Sequence, residues 1–316
     1  MLIRSLSAAL FSLSLVACTH PLTPVETPPP SGTLYDYQIQ SPNGVPYSLN
    51  ELANALGDYD VVLVGEWHTH PGIHLFEAQL LSTLAARYPA TALSMEQFSR
   101  AEQSTLDAYL AGEIGESTFI DKSSAWPNYV SDYRPLIEIA RQDALPVIAA
   151  NAPQSIVRYI GREGESYLER LSAKERDWVA DTLTKDESPY KEKFFAAMFH
   201  GDETKTLNQY LAQIAWDDTM AESIVDFLAA NPGYKVMQIA GAFHVEEGLG
   251  IASRITARNP SLKVAIISPQ TADDPLAAEI TDFRLVVNAL PSQWVNEEEM
   301  NQAMAAMRHS SATTCP

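Results

Sequence analysis

Four segments of this 316-residue chain end an apolar run in groups that can move a proton or hold a cation. Gly65-Glu66-Trp67-His68 follows Asp60–Val64, with His70 and His74 just beyond. Glu96-Gln97 follows Ala92–Met95, and Asn151 follows Pro146–Ala150. Gly241-Ala242-Phe243-His244 follows Lys235–Ala240, with Glu246 and Glu247 after it. Imidazole is the side chain whose ordinary titration lies nearest neutrality, so it serves as acid, base or metal ligand. A carboxylate beside it orients the ring, raises its basicity or shares a metal. A single Gly-x-x-His is a weak pattern, because a histidine near a helix start is more often a cap or a packed ring. Two copies at matching positions reverse that balance, with glycine allowing the tight turn each time.

Other residues are open to two readings. His70 and His74 are spaced to share a helix face, with Pro71 suited to the first turn. His74 is equally a plain, partly exposed helix residue. Arg134, in Tyr133-Arg134-Pro135, meets either a carboxylate such as Glu96 or forms a surface ion pair. Asp217-Asp218-Thr219-Met220 reads as a helix cap or solvated face before it reads as a cation site. Tyr190, Phe194, Phe195 and Phe199 sit at helical spacing, which suits core more often than a cofactor wall. No P-loop, Gly-x-Gly-x-x-Gly or Gly-x-Ser-x-Gly occurs. The two cysteines are Cys18 and Cys315, so a disulfide framework and paired-cysteine zinc sites are excluded. Any metal or haem must use His, Tyr, Glu or Asp.

Those groups need a scaffold that gathers them. Asp60–Val64, Ala92–Met95, Pro146–Ala150, Lys235–Ala240, Val264–Ile267 and Phe283–Val287 read as strands, the first an unbroken apolar run suited to burial on both faces. Helical patterns lie between them, as in Ile73, Phe76, Leu80, Leu84 and Tyr88. The expected fold is α/β, a mostly parallel central sheet flanked by helices, with a helical insertion over 153–230 before the fourth strand. Ligands of such sheets bind beyond the carboxyl ends of the strands, where the groups named above lie. Asn43-Gly44 predicts a hairpin between Tyr35–Gln40 and Val45–Ser48. Ser48 and Glu51 predict a capping box. The boundaries expected are 33–295 for the α/β domain and 296–316 for a C-terminal helix and tail.

The first 17 residues read as a signal peptide: Arg4, then an apolar stretch too short to span a bilayer, then Leu15-Val16-Ala17 before Cys18. That ending resembles a bacterial lipobox and predicts lipidation at Cys18, with acyl chains adding roughly 0.8 kcal/mol per buried methylene. Thr19 after the cysteine resembles outer-membrane sorting. Residues 18–32 hold five prolines and read as an extended tether. The formal charge of −19 disfavours nucleic acid and anionic headgroups as partners.

The ordered set of segments resembles a known family. It comprises Val64-Gly-Glu-Trp-His68 with His74 and Gln79, Met95-Glu-Gln97 with Gln103, Tyr133-Arg-Pro-Leu136, and Ala150-Asn-Ala-Pro153. It continues through Asp217-Asp-Thr-Met-Ala221 and Ile239-Ala-Gly-Ala-Phe-His-Val245 to Gly250-Ile251. Over roughly residues 59–255 the chain is similar to the ChaN-type haem-binding lipoproteins of the Tiki superfamily. The resemblance implies a lipid-anchored protein of the cell envelope, on the outer membrane, acting in haem and iron uptake with an outer-membrane haem receptor as a possible partner. It implies haem bound at a homodimer interface, with a tyrosine axial ligand, a role that suits ferric iron. Tyr190 is the favoured tyrosine, beside His200, and Tyr159, Tyr167 and Tyr210 are its rivals. Arg134, Arg158 or Lys191 would meet the propionates. Related metal-dependent proteases and erythromycin-esterase-like hydrolases imply an alternative, a hydrolase site of Glu66, His68, Glu96 and His244. In its metal form Glu66, His68 and His244 hold a divalent ion, and in its metal-free form His68 is the base.

Overall fold

The structure, a computed structural model, describes residues 32–199, 201–274 and 281–312. The strands are β1 (Tyr37–Gln40), β2 (Pro46–Tyr47), β3 (Val61–Glu66), β4 (Thr91–Ser99), β5 (Val147–Asn151), β6 (Lys235–Gly241), β7 (Val264–Thr271) and β8 (Phe283–Val287). They form one sheet in the order β2-β1-β8-β7-β3-β6-β4-β5. The six strands β3 to β8 are mutually parallel. β1 runs antiparallel to both β2 and β8, so the sheet is mixed. The Asn43-Gly44 turn forms as expected, with Gly44 at φ +80, a conformation that favours glycine.

The helices are α1 (Leu49–Ala55), α2 (Pro71–Arg87), α3 (Gln103–Leu110), α4 (Glu116–Lys122), α5 (Arg134–Gln142), α6 (Gln154–Glu163), α7 (Ala173–Arg176), α8 (Pro189–Met198), α9 (Glu203–Ala230), α10 (Ala242–Val245), α11 (Ile251–Arg258) and α12 (Glu297–Ala312). Ser48 and Glu51 form the predicted capping box at α1. Between β5 and β6 the described residues hold helices α6 to α9 and no strand. Residues 1–31, over which a signal peptide, Cys18 lipidation and all but the last residue of the tether are expected, lie outside the described residues, as do His200 and Cys315.

Period-two alternation decides what each strand end faces. Val62 and Val64 of β3, Leu93 and Met95 of β4, and Met237 and Ile239 of β6 pack with α1, α2, α3 and α5. Val61 and Leu63, Ala92, and Val236 and Ala240 pack on the opposite face with α9 and α11. Burying each such aliphatic side chain contributes about 1.5–3 kcal/mol. A third cluster joins α6, α8 and α9 through Ile160, Phe194, Tyr210 and Ile214. Continued past the core, the alternation sends Glu66 and Gln97 towards α2 and α5, and Glu96 towards α9.

Candidate functional site

At the end of β3 the Glu66 carboxylate is fully buried and heavily bonded. Its Oε1 accepts from His68 Nδ1 at 2.9 Å, Gln97 Nε2 at 2.6 Å and the Tyr133 hydroxyl at 3.1 Å. Such a carboxylate holds the His68 ring in place and leaves Nε2 on the cleft side. Across the cleft, His244 Nδ1 donates to Asp217 Oδ1 at 2.7 Å, and its Nε2 lies 3.6 Å from Glu96 Oε1. Glu96 Oε2 accepts from the Gly241 backbone N–H at 2.7 Å. Gly241 closes the arrangement: a Cβ there would stand 3.0 Å from both Cε1 and Nε2 of His68 and 3.7 Å from Glu96 Oε2. Glycine is required because these groups converge on its backbone.

The result is two imidazole–carboxylate pairs with Glu96 between them. They line a cleft of about 590 Å³ shared with Ser99, Trp126, Arg158 and Trp216. Trp126 stands edge-on to His68 at 5.1 Å, and Trp216 edge-on to His244 at 6.3 Å. Burial works against protonating His244, but the charges of Asp217 and Glu96 outweigh it and raise its pKa from 6.5 to about 9. Burial also opposes protonation of His68, and the hydrogen bond and charge of Glu66 raise its pKa.

A folded-state pKa above the unfolded value stabilises the protein below the unfolded pKa, and that stabilisation is lost as pH rises through the folded one. For His244 the window runs from 6.5 to about 9. The stabilisation surrendered there is at most about 3 kcal/mol. An NMR titration of the His244 ring is expected to find its midpoint near 9. A midpoint at the ordinary histidine value would contradict the pairing with Asp217.

The structure brings Glu66, His68, Glu96 and His244 to one edge of the sheet, as their strand positions predict. It does not bring Glu66, His68 and His244 to one metal point. Among the described residues, the donors that converge within 4.8 Å are Glu66, His74 and Glu77. His70 and His74 do not act as a ligand pair either. His70 is the N-cap of α2: its Nδ1 accepts from the Gly72 and Ile73 backbone, and its Nε2 donates to the Asn288 carbonyl at 2.8 Å. Arg134 pairs with Glu116 at 2.5 Å and stays partly exposed, so it is the plain ion pair, remote from Glu96 in its bonding.

Tyr190 departs most from expectation. It is 2% exposed, and its hydroxyl donates to Asp217 Oδ2 at 2.7 Å. Burial first, then the Asp217 charge, push its pKa well above that of free tyrosine, which opposes tyrosinate. In this conformation it braces the partner of His244. Asp217 and Asp218 are neither cap nor solvated face: both are fully buried in the middle of α9. Asp218 is satisfied by Thr184, Arg254 and Arg258. Sequence reasoning weighed Asp217 only as a cap, a solvated face or a cation site, and gave no role to Tyr133, to Glu77 or to Gln213, whose Nε2 donates to the Tyr190 hydroxyl at 3.0 Å. An aspartate pair inside an otherwise apolar helical stretch is the signal that could have found Asp217.

The sequence pattern of the family described as "Haem-binding uptake, Tiki superfamily, ChaN" matches residues 52–255. The chain belongs to this family. No curated protein matches it significantly. Among solved structures, one described as cofacial haem binding to ChaN of Campylobacter jejuni superposes with a TM-score of 0.61. It is 16% identical, over 80% of this chain and 97% of that one, which is a likeness of fold. A mutant erythromycin esterase in its open conformation is 12% identical over 85% of this chain and 86% of its own, with a TM-score of 0.47. For this ChaN-family chain, residues 52–255 span from α1 through β6 and most of α11, so the matched region carries the whole cleft.

Proposed function

We propose that this ChaN-family chain is a haem-binding lipoprotein of the cell envelope, anchored through Cys18 to the outer membrane and acting in haem and iron uptake. Membership of a haem-binding family carries the reading. The helical segment between β5 and β6 supports it. Tyr159, Met198, Phe199 and Leu207 are exposed there at 40%, 40%, 52% and 39%. Met198 also lines an apolar cavity of about 310 Å³, together with Val157, Arg158, Phe194 and Trp216 among others. A porphyrin needs apolar contact for its face and a cation for its propionates, and Arg158 is the cation at this cavity. A homodimer would cover these exposed side chains. Haem iron supplies the ligand and redox chemistry, and the chain supplies the axial group.

Tyr190 and Tyr210 are buried, whereas Tyr159 is exposed, so the proposed axial ligand moves to Tyr159. Haemin titration of the fragment from Ser31 onward is expected to give a saturable Soret change and a rise to dimer mass. Tyr159→Phe is expected to shift or abolish that band, and Tyr190→Phe to leave it. A titration with no saturation would end the haem reading; a band sensitive to Tyr190→Phe alone would return the ligand to Tyr190. Lipidation is checked separately, because Cys18→Ala is expected to release the protein from membranes.

The paired imidazoles favour a second reading, hydrolysis in the cleft. His244, held protonated, donates from Nε2, and His68 and Glu96 face the same space as proton acceptors. His68→Ala with His244→Ala is expected to abolish any hydrolysis of an ester panel while haemin binding persists. Activity that survives both changes would remove this reading.

A further inference from the structure

Behind the cleft, Glu66 also belongs to a second buried cluster, whose other members, His74 and Glu77, have no part in either function. Beneath His68, one donor atom each from Glu66, His74 and Glu77 lies within 4.8 Å of the others. His74 Nδ1 is 3.4 Å from Glu66 Oε2 and 2.9 Å from Glu77 Oε2. His74 is 6% exposed, and both carboxylate side chains are fully buried. The other ring nitrogen is committed: Nε2 donates to the His68 carbonyl at 3.0 Å. A ring nitrogen bonded to a backbone carbonyl fixes the opposite nitrogen as the ligating one, the arrangement found around metal-bound histidine.

Two further observations call for a cation. Glu77 Oε1 is buried and has no hydrogen-bond partner. No lysine or arginine among the described residues forms an ion pair with Glu66 or Glu77. Two carboxylates taken out of water cost several kcal/mol each unless compensated. His74 supplies at most one positive charge. A divalent ion would neutralise both carboxylates and engage the free oxygen of Glu77.

We propose that Glu66, His74 and Glu77 bind a divalent transition-metal ion of the zinc class. One imidazole nitrogen and two carboxylates form a donor set that zinc accepts, and calcium or magnesium would favour oxygen alone. Binding displaces the protons that the empty cluster carries, from His74 Nδ1 and from Glu77 where it is protonated, to solvent. The ion ties the end of β3 to the first turns of α2. Because Glu66 also holds His68, the ion fixes one wall of the cleft from behind. The proposal does not depend on whether the cleft hydrolyses or the helices bind haem.

The test uses the full chain stripped with a chelator and titrated with Co²⁺, followed by visible d–d absorption, with Zn²⁺ content measured after dialysis. Wild type is expected to bind one equivalent and to melt at a higher temperature with metal. Glu77→Gln, which keeps shape and removes charge, is expected to weaken binding on the order of 100-fold. His244→Asn is expected to bind as wild type does. If Glu77→Gln does not fold, Glu77→Asp withdraws the carboxylate by one methylene and is expected to weaken binding in the same direction. Absence of stoichiometric metal in wild type overturns the proposal and leaves protons as the neutralising charge. Equal binding by the Glu77 variants also overturns it. So does loss in His244→Asn alone, which would put the ion in the cleft.

Discussion

Asp217→Asn is expected to lower the unfolding free energy by about 3–5 kcal/mol, the usual cost of breaking a buried ion pair from one side. Asp217 is fully buried and serves two donors, His244 Nδ1 and the Tyr190 hydroxyl, both at 2.7 Å. The amide keeps the shape but removes the charge that holds His244 protonated. It also presents an N–H to one of two groups that themselves donate. The imidazole must then lose its proton or keep its charge with Glu96 alone, 3.6 Å from Nε2, and each alternative is costly. In a domain of this size the melting temperature is expected to fall by about 10 °C. Denaturant unfolding is the measurement, and a loss under about 1 kcal/mol would show that Asp217 is not a buried counter-charge. The same change made in a His244→Ala background is expected to cost clearly less, since the pairing is already gone.

Gly250→Ala is expected to be the most damaging methyl group that could be added near the site. Its Cβ would lie 2.2 Å from the His244 carbonyl oxygen, 2.8 Å from that carbonyl carbon and 3.2 Å from His244 Cα. All three are backbone atoms, so no side-chain rotation relieves the clash. Either α11 moves away or the short helix α10, which carries His244, moves with its pairing to Asp217. A loss above about 3 kcal/mol is expected, in the range of severe overpacking. Gly115→Ala is the control, because a Cβ there meets nothing within 4 Å and the backbone φ is −82. It is expected to cost about 1 kcal/mol or less. Near-neutral behaviour of Gly250→Ala would mean that the close approach of Gly250 to His244 is not maintained in solution.

The core strands and the edge at which chemistry gathers were legible because both are local in origin. A run such as Val61–Val64 is buried on both faces wherever it lies in a parallel sheet, and the residues after it must emerge at the carboxyl edge. The same reasoning anticipated the capping box at Ser48 and Pro71 at the start of α2. The partner of each emerging group was less accessible. Asp217 is 27 residues from His244 in sequence and on another element, and Tyr133 is 67 from Glu66. The apolar run around Asp217 hints at burial, but local pattern does not state which segment will cover that helix face or which group the aspartate will meet.

The sequence by itself determined an α/β chain with six parallel strands, a ChaN-family motif order, and Glu66, His68, Glu96 and His244 at one sheet edge. Only the tertiary structure decided which of two histidines near α2 is a cap and which faces carboxylates. His70 spends its ring on backbone groups, whereas His74 lies between Glu66 and Glu77. It likewise decided that Tyr190 is a buried brace. The physical reason is the same in each case: a polar group's role is set by the charge and water around it, and those are fixed by segments distant in the chain.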